Sequence, residues 1–239
     1  MTYGLECFLG ATHLVGWSSE LPAPGDFITR QVGARAVLLC RGDDGELNAF
    51  LNVCSHEGAQ VAFGCGSAKR FVCLKHGWAY DRTGTVVNQP DTAAGRAHPL
   101  RSLPVLESAG LVLLSAHEGG RPDPSTIGVP ASLRWDWESG GQRNLTLTAS
   151  WEAVLADVRA DLGTVATGAV VSTYSLILVS EQSLLLVTAG PGLYADQAHV
   201  SLTLVVAPKT GPLPGVAGSR ASEVLDGWIG RLRDTFGPS

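Results

Sequence analysis

The sequence predicts an α+β chain, in which an all-β N-terminal half precedes a half that combines strands with helices. Three observations carry this prediction. Across residues 17–115, short apolar runs alternate with turns rich in Gly and Asp, as in strands joined by tight turns. Beyond residue 142, apolar residues recur at helical spacing in two stretches. Between residues 118 and 142, Gly and Pro interrupt both patterns.

Length and composition fit two modest domains. The chain has 239 residues, enough for a core in each half. We expect a first domain over residues 1–118, a linker or surface loop over 119–142 and a second domain over 143–239. A hydrophobic content of 45% against 16% charged residues indicates a soluble globular protein. The net charge of −5 gives no basic footprint for nucleic acid.

The chain shows no membrane or export signal. The most apolar region, residues 169–190, is interrupted by Ser180-Glu181-Gln182 and indicates strands and a turn. No basic residue precedes Arg30, unlike a signal peptide. Five cysteines include Cys54 and Cys73, discussed below, and leave an odd remainder without a disulfide framework. We therefore expect a cytoplasmic protein with no membrane partner.

Hairpins account for the first half. Residues 36–40 and 47–50 flank the turn sequence Gly42-Asp43-Asp44-Gly45 and predict a hairpin. No helix is expected between residues 17 and 115. Further strands are expected at residues 71–72, 78–81, 85–87, 103–107 and 111–115.

The second half predicts two amphipathic helices around three strands. Residues 151–162 show helical spacing, with Ser150 as a candidate N-cap and Gly163 at the end. Strands are expected near residues 170–179, 183–188 and 199–206. The apolar side of the C-terminal helix consists of Val224, Leu225, Trp228, Ile229, Leu232 and Phe236.

Four potential metal ligands lie on two short segments of the first half. Cys54-Ser55-His56 and Cys73-Leu74-Lys75-His76 are separated by sixteen residues. A Rieske-type [2Fe-2S] cluster needs this equal mix, with two Cys on one iron and two His on the other. Two ferric ions, two sulfides and two thiolates sum to zero charge, so such a cluster accepts an electron more readily than a four-thiolate cluster.

A structural zinc site is the alternative for these four residues, because two Cys and two His also form a tetrahedral zinc set. Zinc fingers usually pair Cys with Cys and His with His, whereas both pairs here are mixed, which favours the cluster. Cys65 lies between the two segments, but Gly64-Cys65-Gly66 is typical of a turn, and we do not expect Cys65 to bind metal.

The residues around these ligands form a pattern that extends over residues 17–115. Its parts are Pro24-Gly25-Asp26, Ala49-Phe50-Leu51-Asn52-Val53, Gly58-Ala59, Phe71-Val72-Cys73, His76-Gly77-Trp78-Ala79-Tyr80-Asp81 and Gly84. In this pattern the chain resembles the α-subunits of Rieske non-heme iron oxygenases of the ring-hydroxylating type. Respiratory Rieske proteins differ, because they carry a further Cys in each ligand loop, where this chain has Ala59 and Lys75.

The resemblance implies an all-β Rieske domain followed by a reduced helix-grip (START-like) domain of the catalytic type. It implies cluster ligation by Cys54, His56, Cys73 and His76. Trp78 replaces a hydroxyl that hydrogen-bonds the cluster in high-potential Rieske proteins, and Tyr80 remains as a candidate donor, which implies a low potential. Both aromatic residues equally fit packing beneath the cluster.

Three positions near the cluster depart from the family. Family members usually have Pro, Arg and Tyr where this chain has Ser55, Glu57 and Lys75. These replacements change the charge of the exposed face, so the identity of the electron donor stays open.

The second domain departs further. In the family, one helix carries an acid and two His. The two His and a later carboxylate hold a mononuclear iron, and the acid bridges toward the Rieske cluster of a neighbouring subunit. Aligned on Ser150-Trp151-Glu152, the acid falls on Asp161, and the two His positions fall on Thr164 and Ala169. Neither residue replaces an imidazole ligand. We therefore expect no mononuclear iron, and Asp161 is either an exposed acid or an electron-transfer bridge to a neighbouring subunit.

The resemblance thus implies an oxidoreductase component that is not catalytically complete alone. Its cluster would pass electrons from a ferredoxin or flavin reductase to a mononuclear iron in a partner oxygenase subunit, within a trimer or hetero-hexamer. Two alternatives stay open: a self-contained oxygenase with unrecognised iron ligands, and a redox-sensing or structural Rieske protein.

Overall fold

The computed structural model describes seven stretches of the chain, which divide into two compact units. None of the helices in these stretches is both long and apolar enough to cross a bilayer. The N-terminal unit comprises Gly10–Gln31 and Arg35–Pro122, and the C-terminal unit comprises Met1–Leu9, Val32–Ala34 and Asp123–Ser239. The described residues are 2–90, 98–128, 138–160, 167–179, 183–192, 197–206 and 217–236.

The N-terminal unit consists of three small sheets, with strand orders β4-β3-β2-β5, β6-β7-β8 and β1-β10-β9. A short 3-10 turn at Ser18–Glu20 follows β1, in a stretch where no helix was expected. The strands are β1 (His13–Trp17), β2 (Asp26–Val32), β3 (Arg35–Arg41), β4 (Leu47–Leu51), β5 (Cys65–Ser67), β6 (Phe71–Val72), β7 (Ala79–Tyr80), β8 (Val86–Asn88), β9 (Val105–Ser108) and β10 (Leu111–Leu114).

The predicted β3–β4 hairpin is confirmed, and it supplies one wall of the core beneath the two Cys-His segments. Leu38 on β3 pairs with Phe50 on β4, and both are buried. Gly84 lies in the turn between β7 and β8 at φ +78°, where a Cβ would come within 2.5 Å of the Phe50 ring. Only glycine adopts this positive φ without strain and also leaves room for the Phe50 ring. The turn and the hairpin therefore pack directly on each other.

The C-terminal unit is a five-stranded sheet packed on helices. Its strand order is β11-β15-β14-β13-β12, and every neighbouring pair is antiparallel. Buried residues of α2 and α3 share one apolar core with the sheet, as in a helix-grip arrangement. The elements are α1 (Thr2–Gly10), a 3-10 turn (Pro124–Thr126), β11 (Glu138–Leu147), α2 (Trp151–Ala160), β12 (Thr167–Ser172), β13 (Ser175–Val179), β14 (Ser183–Pro191), β15 (Ala198–Val206) and α3 (Ala217–Phe236).

Three features of this unit differ from the prediction. Helix α1 was not expected. Strand β11 begins at Glu138, inside the segment assigned to a linker, and its register shifts between Ser139 and Gly141. The Gly pair there belongs to a bulge, which tolerates glycine as a turn does. The single strand expected at residues 170–179 is part of a hairpin of two, since the chain turns at Thr173 and Tyr174.

Acid is expected to weaken the N-terminal unit through Glu107. Arg41 donates hydrogen bonds of 2.6 and 3.3 Å to its carboxylate, which hold the pKa of Glu107 below its ordinary value of 4.5. A lowered folded pKa means that the contribution is complete above about pH 4.5 and is lost as the pH falls through the folded pKa.

The effect should stay below about 1 kcal/mol, because the Glu107 side chain is 35% exposed and solvent screens the pair. Glu107→Gln should flatten the acid limb of the unfolding free energy. Glu46→Gln, in the exposed β3–β4 turn, is the control, and an equal flattening in both variants would contradict the prediction.

Candidate metal centre

The first Cys-His segment forms a closed loop directly after β4. The Gly58 N–H donates to the Cys54 carbonyl at 3.0 Å, and the Cys54 N–H donates to the Ala59 carbonyl at 2.7 Å. Gly58 has φ +73°, in the left-handed region that glycine adopts without strain. These bonds fix the backbone from which the Cys54 and His56 side chains extend.

The second segment, between β6 and β7, repeats this pattern. The Gly77 N–H donates to the Cys73 carbonyl and the Cys73 N–H donates to the Trp78 carbonyl, both at 2.8 Å. Gly77 also has φ +73°. The two loops therefore share one backbone design, with Cys at the first position, Gly at the fifth, and His at the third or fourth.

The loops bring the two predicted thiols into one core and the two predicted imidazoles into contact. Cys54 and Cys73 are buried in the same apolar core, with 3% and 2% exposure. The imidazoles of His56 and His76 contact each other, with ring centroids 4.8 Å apart. Among the described residues, the buried Nδ1 of His56 has no hydrogen-bond partner. A buried nitrogen without a partner is costly unless it binds something else, such as a metal.

Trp78 holds one of the imidazoles in place. Its fully buried indole ring stacks on the His56 ring at 4.9 Å between centroids and an interplanar angle of 3°. Trp78 therefore packs against one of the candidate ligands.

Tyr80 approaches one of the two buried sulfurs. Its hydroxyl lies 3.1 Å from the Cys54 Sγ and accepts a hydrogen bond of 3.0 Å from the Ser55 N–H. Burial, together with the hydrogen bond to Cys54, raises the pKa of Tyr80. The phenol therefore stays protonated at neutral pH and can donate to the Cys54 sulfur.

Asn52 anchors the first loop, a role that the sequence did not reveal. Its fully buried side chain donates to the Ala62 carbonyl at 2.8 Å and accepts from the N–H groups of Val61 and Ala62 at 3.1 and 3.0 Å. The segment leaving the loop is thereby tied to the end of β4. The position of Asn52 beside a ligand loop was the available signal.

An ion pair joins the two loops on their exposed side. The Lys75 ammonium lies 2.6 Å from the Glu57 carboxylate. This hydrogen bond lowers the pKa of Glu57 and raises that of Lys75. His56, Glu57 and His76 have polar atoms within 4.8 Å of one another and could together offer a metal three ligands. Lys75 contacts one oxygen of this carboxylate, and the same oxygen lies 3.9 Å from the His76 Nδ1.

Two further cysteines of the N-terminal unit differ from the candidate ligands in their surroundings. Cys40 lies in the same core, but burial raises the pKa of its thiol to about 12 and its Sγ donates to the Arg82 carbonyl at 3.4 Å. Burial and this hydrogen bond favour the thiol form of Cys40 over the thiolate that binds metals. Cys65 is exposed on β5. All five cysteines are free of disulfides.

Two of the three C-terminal positions aligned with an iron site, Asp161 and Thr164, lie outside the described residues. Ala169 does not lie on a helix, as the resemblance suggested, but on β12, where it pairs with Ile177. His199 lies on β15, with Nδ1 3.0 Å from the Thr146 hydroxyl oxygen.

The donor set at the two loops fits a cofactor that takes two thiolates and two imidazoles. Two buried sulfurs, two adjacent imidazoles and an unpartnered buried nitrogen satisfy the Rieske ligand requirement in kind and number.

Comparison with known proteins agrees with this donor set. The Rieske [2Fe-2S] domain model matches residues 11–107. The chain is 42% identical over 78 residues to the chlorobenzene dioxygenase subunit alpha of Cupriavidus sp. (strain PS12), a match that covers 32% of this chain and 17% of that subunit. The matched part is thus less than a fifth of that relative's length.

Solved structures extend the likeness in fold to both units. The quaternary ammonium Rieske monooxygenase CntA with L-carnitine has a TM-score of 0.74 at 16% identity, over 99% of this chain and 80% of that one. A CntA structure described as giving insight into inter-subunit electron transfer has a TM-score of 0.66 at 16% identity, over 93% and 74%. Residues 11–107 are therefore a Rieske [2Fe-2S] domain, and the chain is similar in sequence over 78 residues to a dioxygenase α-subunit and similar in fold to CntA.

Proposed function

We propose that Cys54, His56, Cys73 and His76 hold the [2Fe-2S] cluster and that the chain is an electron-transfer subunit of a Rieske oxygenase. The observation that carries the proposal is the pair of matched loops, which place two thiols in the core and two imidazoles side by side. The bound cluster supplies one-electron transfer. The protein residues hold it, shield one side and expose the other.

The histidine side is the proposed route for electrons. The Cys54 and Cys73 side chains are buried, whereas the His76 side chain is 39% exposed. A partner therefore approaches most closely over the imidazoles. Leu74, 84% exposed in the second loop, adds an apolar contact on the same loop.

The proposed acceptor is a mononuclear iron in a different polypeptide, and the donor is a ferredoxin or flavin reductase. Transfer between subunits is described for CntA, whose fold this chain shares. Residues 143–239 contain one histidine, His199, whereas the family's iron site takes two. We further propose that Asp161 bridges to the partner subunit and that the assembly is a trimer or hetero-hexamer. Because all five cysteines are free thiols, we also propose that the chain resides in the cytoplasm.

Metal analysis and co-purification from the native host test this function. We expect about two irons per chain, a bound oxygenase subunit, and turnover that requires both the partner and a reductant. About three irons per chain would instead indicate a mononuclear iron site in addition to the cluster, and thus a self-contained oxygenase. Zinc without iron, or the absence of any oxygenase complex and of reduction-dependent turnover, would overturn the proposal.

Tyr80→Phe is expected to lower the reduction potential of the cluster while leaving it bound. The Tyr80 hydroxyl lies 3.1 Å from the Cys54 Sγ, and a hydrogen bond to a ligand sulfur stabilises the more negative reduced state. A net bond of about 1 kcal/mol corresponds to about 40 mV for one electron. Spectroelectrochemical titration measures the shift. Tyr174→Phe, in the C-terminal unit, should leave the potential unchanged.

A further inference from the structure

Ser55 connects the Tyr80 hydroxyl to a second chain segment. The Ser55 Oγ lies 2.6 Å from the His98 carbonyl oxygen and 3.0 Å from the Tyr80 hydroxyl. The Ser55 N–H also donates to that hydroxyl at 3.0 Å. One serine therefore contacts the tyrosine that faces the Cys54 sulfur through both its main chain and its side chain.

The protons in this network can be assigned by counting donors. A carbonyl oxygen only accepts, so the 2.6 Å contact uses the single Ser55 hydroxyl proton. The Ser55 Oγ is then left with acceptor capacity toward Tyr80. The Tyr80 hydroxyl has one proton and two acceptors at nearly equal distance, the Cys54 Sγ at 3.1 Å and the Ser55 Oγ at 3.0 Å.

We propose that Ser55 is a positioning residue that shares the Tyr80 proton with the Cys54 sulfur and thereby lowers the reduction potential of the cluster. Donation by Ser55 to His98 polarises the Ser55 oxygen and makes it a better acceptor. When the Tyr80 hydroxyl donates to the Ser55 oxygen, its hydrogen bond to the Cys54 sulfur is weakened. The reduced cluster is then stabilised less, which lowers the reduction potential. The inference rests on the proposed ligation by Cys54.

A double-mutant cycle tests the assignment. Ser55→Ala removes the Oγ but retains the backbone N–H, so the Tyr80 proton has the sulfur as its remaining acceptor in the network. We expect the potential of Ser55→Ala to shift to more positive values. Ser55→Thr keeps the hydroxyl and should match the unmodified protein. In a Tyr80→Phe background, Ser55→Ala should produce no shift, because the shared proton is gone.

A second readout is the Fe–S(Cys) stretching frequency in resonance Raman spectra, which should change in Ser55→Ala and return in Ser55→Thr. If the Ala variant loses its cluster, Ser55→Gly provides the same test of the missing hydroxyl. The inference is overturned if Ser55→Ala produces no shift, or if its shift is the same with and without the Tyr80→Phe substitution. A negative shift would also overturn it, because it would show that Ser55 donates to Tyr80.

Failure of this inference can be told apart from failure of the proposed function. If the unmodified protein gives no [2Fe-2S] spectrum, ligation by Cys54 is wrong. If it gives that spectrum and Ser55→Ala leaves the potential unchanged, the cluster assignment stands and the shared proton is wrong.

Discussion

Cys73→Ala is expected to abolish cluster binding, with iron falling from about two per chain to near zero. Cys73 is buried and begins the second loop, so no exposed neighbour replaces its sulfur. Iron and sulfide analysis together with the visible spectrum measures the loss. Cys54→Ala should behave in the same way.

Two other cysteines provide matched controls for this experiment. Cys40→Ala removes a buried thiol from the same core, and Cys65→Ala removes an exposed one. Both should retain about two irons per chain. Full iron content in Cys73→Ala, or loss of iron in Cys40→Ala equal to that in Cys73→Ala, would contradict the ligand assignment.

Asn52→Ala is expected to cost about 3 kcal/mol of stability in the N-terminal unit. The substitution leaves the N–H groups of Val61 and Ala62 without the acceptor that the Asn52 side chain supplies, whereas the Ala62 carbonyl keeps a hydrogen bond from Gln60. Buried polar groups that lose a partner cost about 1–3 kcal/mol each, and water entering the gap recovers part of that cost.

Hydrogen exchange locates this effect. The Val61 and Ala62 amides should exchange about 100-fold faster in Asn52→Ala, since about 1.4 kcal/mol corresponds to a tenfold change in the opening equilibrium. Asn144→Ala, at an exposed position of β11, is the control. Unchanged exchange at Val61 and Ala62 would show that Asn52 does not hold this segment.

The ligand set was the part of the site that the sequence could predict, because metal chemistry restricts the residue types and the loops keep each Cys-His pair local. Trp78 and Tyr80 were identified as neighbours, but their roles depend on three-dimensional placement. Trp78 stacks on His56 and Tyr80 contacts Cys54, and in both contacts the two residues are far apart in the chain. Asn52 and Ser55 were missed as organisers because Asn and Ser occur in every kind of turn.

The fold was predictable where local signals were strong. The β3–β4 hairpin and helix α2 follow from turn chemistry and apolar spacing. Strand β11 was missed because a Gly pair has the same local meaning in a bulge and in a turn, and the long-range pairing with β15 decides between them. The turn at Thr173 and Tyr174 was missed because both residues favour strands.

The matched backbone closure of the two ligand loops divides the site into two halves that carry one cysteine and one histidine each. Each loop is closed by two main-chain hydrogen bonds. The ring of Trp78, directly after the second loop, stacks on His56 of the first loop. The two halves therefore depend on each other at the imidazoles, and a change in the backbone of the second loop should disturb the histidine of the first as well as its own.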